Sequence, residues 1–156
     1  MKKIAIFASG SGTNAENIVR IFHEGNRIRV ALVIANREKA GVHKRMADLG
    51  VPSMTIPNAV WDNNPEQIVD VLNQHEIDLV VLAGFMHKVD SAIITAYKDR
   101  IINIHPSLLP AYGGVGMYGL ATLATLASVA VLTLIRVFER KILPSSVKKT
   151  RRFKQC

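Results

Sequence analysis

The chain has 156 residues, of which 49% are hydrophobic and 21% are charged, and these values are close to those of an average globular protein. This length and composition predict one compact domain with a sizeable core, and the sequence contains neither an internal repeat nor a low-complexity linker. The single cysteine, Cys156, excludes an intrachain disulfide, so we expect the N-terminal part to be cytoplasmic.

The formal net charge of +8 comes from the C-terminal part of the chain. Residues 1–119 contain 12 of the 20 Lys and Arg residues and 11 of the 12 Asp and Glu residues, so this part is nearly neutral. Beyond Gly119, eight basic residues accompany one acidic residue, Glu139. We expect no nucleic-acid partner, although the basic run 147–154 leaves open an arm that binds nucleic acid or anionic lipid.

Strand-like and helix-like patterns alternate along the first hundred residues. Short apolar runs indicate strands buried in a parallel sheet, whereas helical spacing and capping residues indicate helices. In chain order, the patterns predict strand 4–8, helix 14–24, strand 28–35, helix 37–49, strand 53–56, helix 65–75 after the cap Asn64, strand 79–83, helix 91–98 and strand 100–104. This alternation predicts an α/β fold with a doubly wound parallel sheet.

The character of the sequence changes after residue 112. The segment Gly113–Ile135 contains no charged residue, and it is long enough to cross a membrane as one helix, which needs about 20 apolar residues. A buried core helix is the alternative. We therefore divide the chain into an α/β domain at 1–119, a long apolar helix at 120–141 that could span a membrane, and a basic tail at 142–156.

A glycine-rich segment, Ser9–Asn14, lies between the first predicted strand and the first predicted helix. Glycines let the backbone approach a ligand closely, and the free N–H groups at a helix start suit a phosphate. The segment lacks both the Gly-Lys-Ser/Thr ending of a nucleoside triphosphatase loop and the spacing of a dinucleotide fingerprint. A phosphate monoester is therefore the favoured ligand, and an ordinary tight turn is the alternative.

Asn103 and His105 are two positions apart at the end of the last predicted strand. They should face the same side at the carboxyl edge of the sheet, where open α/β sheets bind ligands. The amide can donate to a developing oxyanion, and the imidazole can transfer a proton near neutral pH. A purely structural role is the alternative for such a pair.

Three segments of the chain carry a resemblance to a known family. Asn103–Pro110 is similar to the active-site segment of the folate-dependent formyltransferases. Within that group, Ser9–Asn14 resembles the substrate-phosphate loop of the phosphoribosylglycinamide formyltransferases, and Leu82–Met86 resembles their folate-side strand end. The similarity covers Met1 to about Gly119.

The resemblance implies transfer of a formyl group from 10-formyltetrahydrofolate to the amine of glycinamide ribonucleotide, a step of purine biosynthesis that uses no metal. It implies that Asn103 and His105 form the catalytic pair. The residues implied for the substrate phosphate are Gly12, Thr13 and Asn14. Those implied for the folate co-substrate are Met86, His87, Lys88, Val89 and Asn103.

The sequence departs from the family pattern in its last third. The family has a catalytic aspartate in a later Asp-Gly-Gly region, whereas this chain has no aspartate beyond Asp99, so we expect impaired activity. The segment 116–141 is similar to the last span of MgtC/SapB-type membrane proteins. We therefore interpret the chain as a chimera, and a non-catalytic fragment that binds phosphate or folate and is tethered to a membrane through 113–135 is the alternative function.

Overall fold

The computed structural model describes residues 1–23 and 27–104, in which strands and helices alternate as the sequence predicts. The elements in chain order are β1 (Lys2–Ala8), α1 (Thr13–His23), β2 (Ile28–Ala35), α2 (Val42–Asp48), β3 (Ser53–Thr55), α3 (Asn58–Asn63), α4 (Pro65–Gln74), β4 (Leu79–Ala83), α5 (Ser91–Ala96) and β5 (Ile101–Ile104).

The five strands form one sheet in the order β3-β2-β1-β4-β5, and every neighbouring pair is parallel. The chain builds outward from β1 in one direction to β3, then returns to the other side of β1 to add β4 and β5. Helices cover both faces, α1 and α2 on one and α3, α4 and α5 on the other. The predicted doubly wound parallel sheet is therefore confirmed.

The central strand β1 is apolar from Ile4 to Ala8 because these residues are buried between the two helical layers. Ile4, Ile6 and Ala8 pack in the core layer that also contains Ile18 of α1 and residues of α2, whereas Ala5 and Phe7 pack in the layer of α3, α4 and α5. Successive side chains of a strand point to opposite faces. A strand between two helical layers therefore shows a continuous apolar run rather than an alternating one.

Strand β2 contains a one-residue bulge at Ala31, which determines the core layer that each of its apolar side chains enters. Ile4 pairs with Val30, but Ala5 pairs with Leu32, so Ala31 is an extra residue between the two pairs. Val30 and Val33 consequently lie in the same core layer although they are three positions apart. A one-residue bulge of this kind reverses the facing of every side chain that follows it.

Two helix predictions are wrong in detail. The helix predicted from Arg37 begins at Val42, because the chain first makes a turn in which Ala40 N donates to Arg37 O over 3.1 Å. A short helix, α3, precedes α4 where no helix was predicted. Asn64 is the N-cap residue of α4 as expected, but its side chain makes no capping hydrogen bond.

The predictions for the C-terminal part lie outside the described residues. They comprise the apolar helix at 120–141, the basic tail at 142–156, the domain boundary at 119 and the MgtC/SapB-like segment. Within residues 1–23 and 27–104, no helix is both long and apolar enough to cross a membrane.

Asp78 connects the starts of β1 and β4 on the edge of the sheet opposite to the glycine-rich turn. Its carboxylate accepts a 2.8 Å hydrogen bond from Lys3 N and a 2.6 Å hydrogen bond from Lys2 Nζ, while Asp78 N donates to Lys3 O over 2.8 Å. Burial raises the pKa of the Asp78 carboxyl, but the bonds from Lys2 and Lys3 outweigh this effect and lower the pKa below its usual value.

Replacement of this carboxylate should destabilise the fold in a pH-dependent way. A lowered folded-state pKa means that the stabilisation is complete above the unfolded-state pKa, about 4, and is lost as the pH falls through the folded-state value. We expect Asp78→Asn to lower the free energy of unfolding by about 1 kcal/mol at pH 7 and by less at pH 3. Urea denaturation at both pH values measures this, with Asp70→Asn, an exposed position on α4, as the control. Equal losses for Asp78→Asn at both pH values would contradict the assignment.

Candidate active site

The loops that follow β1 and β4 and the end of β5 meet at the carboxyl edge of the sheet. Phe7 of β1 pairs with Leu82 of β4, and Leu82 pairs with Asn103 of β5, so the three strands end at nearly the same level. In open parallel sheets, ligands bind in the crevice outside the carboxyl ends of the strands. All the site residues predicted within the described ranges belong to these segments.

Gly12 gives the glycine-rich turn a conformation that other residues avoid. Its φ angle is +77°, and a Cβ atom at this position would lie 2.5 Å from both Cβ and Cγ2 of Val42. Val42 opens α2, so the turn after β1 packs directly on the start of the next helix. Gly12 O accepts a 2.9 Å hydrogen bond from Glu16 N and thereby begins α1.

The carbonyl groups of the turn are occupied by donors of the protein itself. Gly10 O accepts from Val42 N over 3.2 Å, and Ser11 O accepts from Arg45 Nε over 2.8 Å. By contrast, no acceptor within residues 1–23 and 27–104 binds the backbone N–H groups of Gly12, Thr13 or Asn14. These three N–H groups therefore remain able to bind an anion at the positive end of α1.

Glu16 lies behind the turn between two arginines. It accepts hydrogen bonds from Arg20 Nε at 3.0 Å and Arg20 Nη2 at 2.7 Å, and it forms an ion pair with Arg45. The hydrogen bonds from Arg20 and then from Arg45 lower the pKa of the Glu16 carboxyl. The carboxylate stays ionised at neutral pH, so the three side chains together carry one positive charge beside the turn.

Ser9 joins the turn after β1 to the loop after β4. Its backbone N–H donates to Gly84 O over 3.1 Å, and its hydroxyl accepts from Met86 N over 2.8 Å. Ser9 is almost fully buried. The segment predicted to bind phosphate and the segment predicted to bind folate are therefore fixed to each other by two hydrogen bonds.

The predicted folate segment, residues 86–89, begins beside an aromatic cluster. Phe85 lies with its ring centre 4.7 Å from that of the buried Trp61 and 5.5 Å from that of Phe7. Met86 is 62% exposed. An exposed thioether next to buried aromatic rings gives the edge of the sheet an apolar surface that suits a planar ligand.

The other three predicted folate residues differ in their surroundings. His87 is half-buried, and its Nε2 donates to the Asp62 carboxylate over 2.9 Å. Lys88 is exposed, and Val89 is half-buried against the core layer of α3, α4 and α5. The segment thus contains one ring held by a hydrogen bond, one exposed cation and one half-buried apolar side chain.

Asn103 is exposed on β5, next to Leu82 of β4. Ile101 packs in the layer of α3, α4 and α5, so Asn103, two positions later, lies on that same face of the sheet. Its predicted partner His105 lies outside the described residues. The geometry of the proposed pair therefore stays a prediction.

Sequence reasoning missed a buried polar residue at this edge. Asn36 directly follows β2, is only 6% exposed and donates from Nδ2 to Asn58 Oδ1 over 2.8 Å. Its Oδ1 atom has no hydrogen-bond partner in the described part of the chain. A polar residue immediately after a buried apolar strand was the available signal, because that position lies at the ligand-binding edge. Arg45 was missed as well, and Ser9 was named only as part of the glycine-rich segment, without its bonds to Gly84 and Met86.

Side chains able to bind a metal do not cluster at this edge. No group of three or more His, Cys, Asp or Glu residues within 1–23 and 27–104 could hold a metal ion.

Comparison with known families decides the identity of the fold. Residues 2–131 match the formyl transferase family, which is most of the chain. The chain belongs to the formyl transferase family. The matched range includes all the described elements and continues beyond Gly119.

Several named members of this family are similar to the chain. The phosphoribosylglycinamide formyltransferase of Bacillus subtilis is 38% identical over 125 residues, which cover 78% of this chain and 64% of the relative. The chloroplastic enzyme of that name from Arabidopsis thaliana is 36% identical over 124 residues, 76% of this chain and 42% of the relative. The chain thus spans less than two thirds of the length of either relative.

Solved structures agree with the sequence comparison. The crystal structure of glycinamide ribonucleotide transformylase 1 from Geobacillus kaustophilus superimposes with a TM-score of 0.71 at 38% identity, and the match covers 78% of this chain and 66% of that one. The predicted membership of the formyl transferase family is therefore confirmed.

Two glycine substitutions distinguish backbone strain from close packing in the turn. Gly12 and Gly50 both have positive φ angles, +77° and +66°, but a Cβ atom at Gly50 would meet nothing within 4 Å. We expect Gly50→Ala to lower the free energy of unfolding by about 1–2 kcal/mol through backbone strain alone. Gly12→Ala should lower the free energy of unfolding by roughly 1–3 kcal/mol more than Gly50→Ala does, because the new methyl group collides with Val42. Thermal unfolding of both variants measures the difference, and equal losses would show that Val42 does not constrain the turn.

Proposed function

We propose that the chain transfers a formyl group from 10-formyltetrahydrofolate to the amine of glycinamide ribonucleotide, in purine biosynthesis. The single observation that carries this proposal is the arrangement at the carboxyl edge. There the glycine-rich turn with its unoccupied N–H groups, the segment 86–89 and Asn103 follow or end three adjacent strands of a formyl transferase fold. The names of the similar proteins state the same substrate.

The substrate phosphate binds to the turn at Gly12, Thr13 and Asn14. The backbone N–H groups of these residues are unoccupied within the described chain, and they lie at the start of α1. Phosphate monoesters bind such helix starts because the N–H groups converge and the helix dipole is positive there. This places the glycinamide end of the substrate toward the neighbouring strand ends.

The reaction needs one oxyanion donor and one proton acceptor. The amine of the substrate attacks the formyl carbon, and a C–N bond forms while the carbonyl oxygen becomes an oxyanion, which the Asn103 amide stabilises by donating a hydrogen bond. His105 takes the proton from the attacking nitrogen. The intermediate then collapses, the bond from the formyl carbon to N10 breaks, and N10 takes the proton back from His105 as tetrahydrofolate leaves.

The folate co-substrate lies against Met86, His87, Lys88 and Val89. The Asp62 carboxylate holds the His87 ring in place, and Ser9 fixes the start of the segment through Met86 N. The pterin and benzoyl rings contact the apolar side chains, while the exposed Lys88 is placed to attract the carboxylates of the glutamate tail.

The rate of this 156-residue chain should be low. Residues 100–156 contain no aspartate, whereas the family resemblance implies a later catalytic aspartate. Without that carboxylate, the His105 imidazole lacks the group that would orient it and stabilise its protonated form, and loss of such a group reduces kcat by several orders of magnitude in comparable sites.

An assay of formyl transfer tests the central role of Asn103. We expect tetrahydrofolate to form from 10-formyltetrahydrofolate only when glycinamide ribonucleotide is present. Asn103→Ala should lower kcat by about 10²–10³ because it removes the oxyanion donor. The reaction is followed spectroscopically at a high protein concentration, since we expect a low wild-type rate.

Asn17→Ala is the matched control, because Asn17 is an exposed asparagine of α1 that is remote from the proposed chemistry. It should retain the wild-type rate. Equal rates for wild type, Asn103→Ala and a sample without protein would overturn the enzymatic proposal and leave a non-catalytic fragment that binds its ligands.

Fluorescence of the sole tryptophan tests the folate segment without turnover. Trp61 lies 4.7 Å from Phe85 and 6.4 Å from His87 between ring centres, and the chain contains no other tryptophan. Binding of 10-formyltetrahydrofolate should change its emission, because the ligand would alter the surroundings of the indole ring through Phe85 and His87. His87→Ala should weaken the apparent affinity several-fold, whereas His75→Ala, at the distant end of α4, should leave it unchanged. A change in emission with the same affinity in both variants would remove His87 from the site.

A further inference from the structure

Arg45 of α2 contacts the glycine-rich turn from the side opposite to its free N–H groups. Its Nε donates to Ser11 O over 2.8 Å, and its Nη1 forms an ion pair with Glu16. In the described part of the chain, it is the only side chain that donates to a carbonyl of Gly10, Ser11 or Gly12. No motif in the sequence pointed to this residue.

The planarity of the peptide bond gives this contact a consequence for the anion site. The carbonyl of Ser11 and the N–H of Gly12 belong to one trans peptide unit, in which they point in opposite directions. A donor that fixes Ser11 O therefore also fixes the direction of Gly12 N–H. Arg45 holds the carbonyl, so the N–H points away from Arg45.

The neighbouring peptide units of the turn do not depend on a side chain. Gly10 O is held by Val42 N and Gly12 O by Glu16 N, both of which are backbone donors. The middle unit needs additional support because Gly12 has a positive φ angle, and glycine adopts several backbone conformations at similar energy. Arg45 thus fixes the one unit of the turn that its backbone leaves unsupported.

The charge of Arg45 also strengthens the N–H donor that it orients. A guanidinium bound to a carbonyl polarises the peptide unit and makes its N–H a better donor. Glu16 forms an ion pair with the guanidinium and holds it in position.

We propose that Arg45 is a positioning residue for the substrate phosphate, which acts through the Ser11–Gly12 peptide unit and does not touch the phosphate itself. This inference rests on the proposed function and deepens it, because it assigns phosphate recognition in part to the helix that follows β2. It also assigns Glu16 the role of holding Arg45 against the turn.

The test compares two ligands that differ only in the phosphate. Isothermal titration calorimetry gives the Kd of glycinamide ribonucleotide and of glycinamide riboside for wild type, Arg45→Gln and Arg20→Gln. The Kd of the riboside divided by the Kd of the ribonucleotide measures the preference for the phosphate, and this ratio does not depend on turnover. We expect Arg45→Gln to reduce this ratio about tenfold, the size of one charge-assisted hydrogen bond. Arg20→Gln, which loses a Glu16 pair but leaves the Ser11 contact, should keep the wild-type ratio.

The outcomes separate this inference from the proposed function. A wild-type chain that binds both ligands equally, or binds neither, overturns the phosphate loop and the role of Arg45 together. A wild-type preference for the ribonucleotide that persists in Arg45→Gln overturns the role of Arg45 alone. An equal loss of preference in Arg45→Gln and Arg20→Gln also overturns it, because the Glu16 pairs would then carry the effect.

A second variant covers the case in which Arg45→Gln fails to fold, as judged by thermal unfolding. Arg45→Lys keeps the aliphatic stem and the charge. Its single ammonium group, however, cannot replace the two guanidinium nitrogens, Nε and Nη1, that bind Ser11 O and Glu16 at the same time. We expect it to fold and to show a phosphate preference below that of wild type. A preference equal to that of wild type contradicts the peptide-orienting role.

Discussion

The hydrogen bonds that join β1 to both of its neighbours are the interaction on which the rest of the structure depends. β1 pairs with β2 on one side and with β4 on the other, and its side chains enter both core layers. The turn after β1 is therefore anchored to the most buried strand of the sheet. Because Ser9 then bonds to Gly84 and Met86, the position of the loop after β4 follows from that of β1.

The sequence predicted the sheet well because its signal is local. Runs such as Leu79–Ala83 are buried on both faces, and their continuous apolar pattern requires no knowledge of the partners. The predicted bounds of β2 and β4 agree with the structure. The start of α2 was missed because 37–41 contains helix-forming residues, and only the turn from Arg37 to Ala40 and the contact of Gly41 with Ser11 decide against a helix.

The site was predictable only where its residues form a pattern within one segment. Gly12 and Asn103 lie in recognisable motifs, and the structure brings their segments to the same edge of the sheet. Arg45, Ser9 and Asn36 act through partners that are 34, 77 and 22 positions away. No spacing rule connects residues at such distances, because the contacts exist only after the layers have packed.

These distant contacts show that different elements of the fold determine the shape of the turn and the direction of its N–H groups. The glycines allow the turn after β1 to approach a ligand, but they do not fix the direction of its N–H groups, since a flexible backbone can turn its peptide units either way. That direction comes from α2, through Val42 and Arg45. Packing of α2 on the sheet is therefore part of the geometry of the anion site. Under the proposed function, a change in that helix would alter recognition of a phosphate that the helix never contacts.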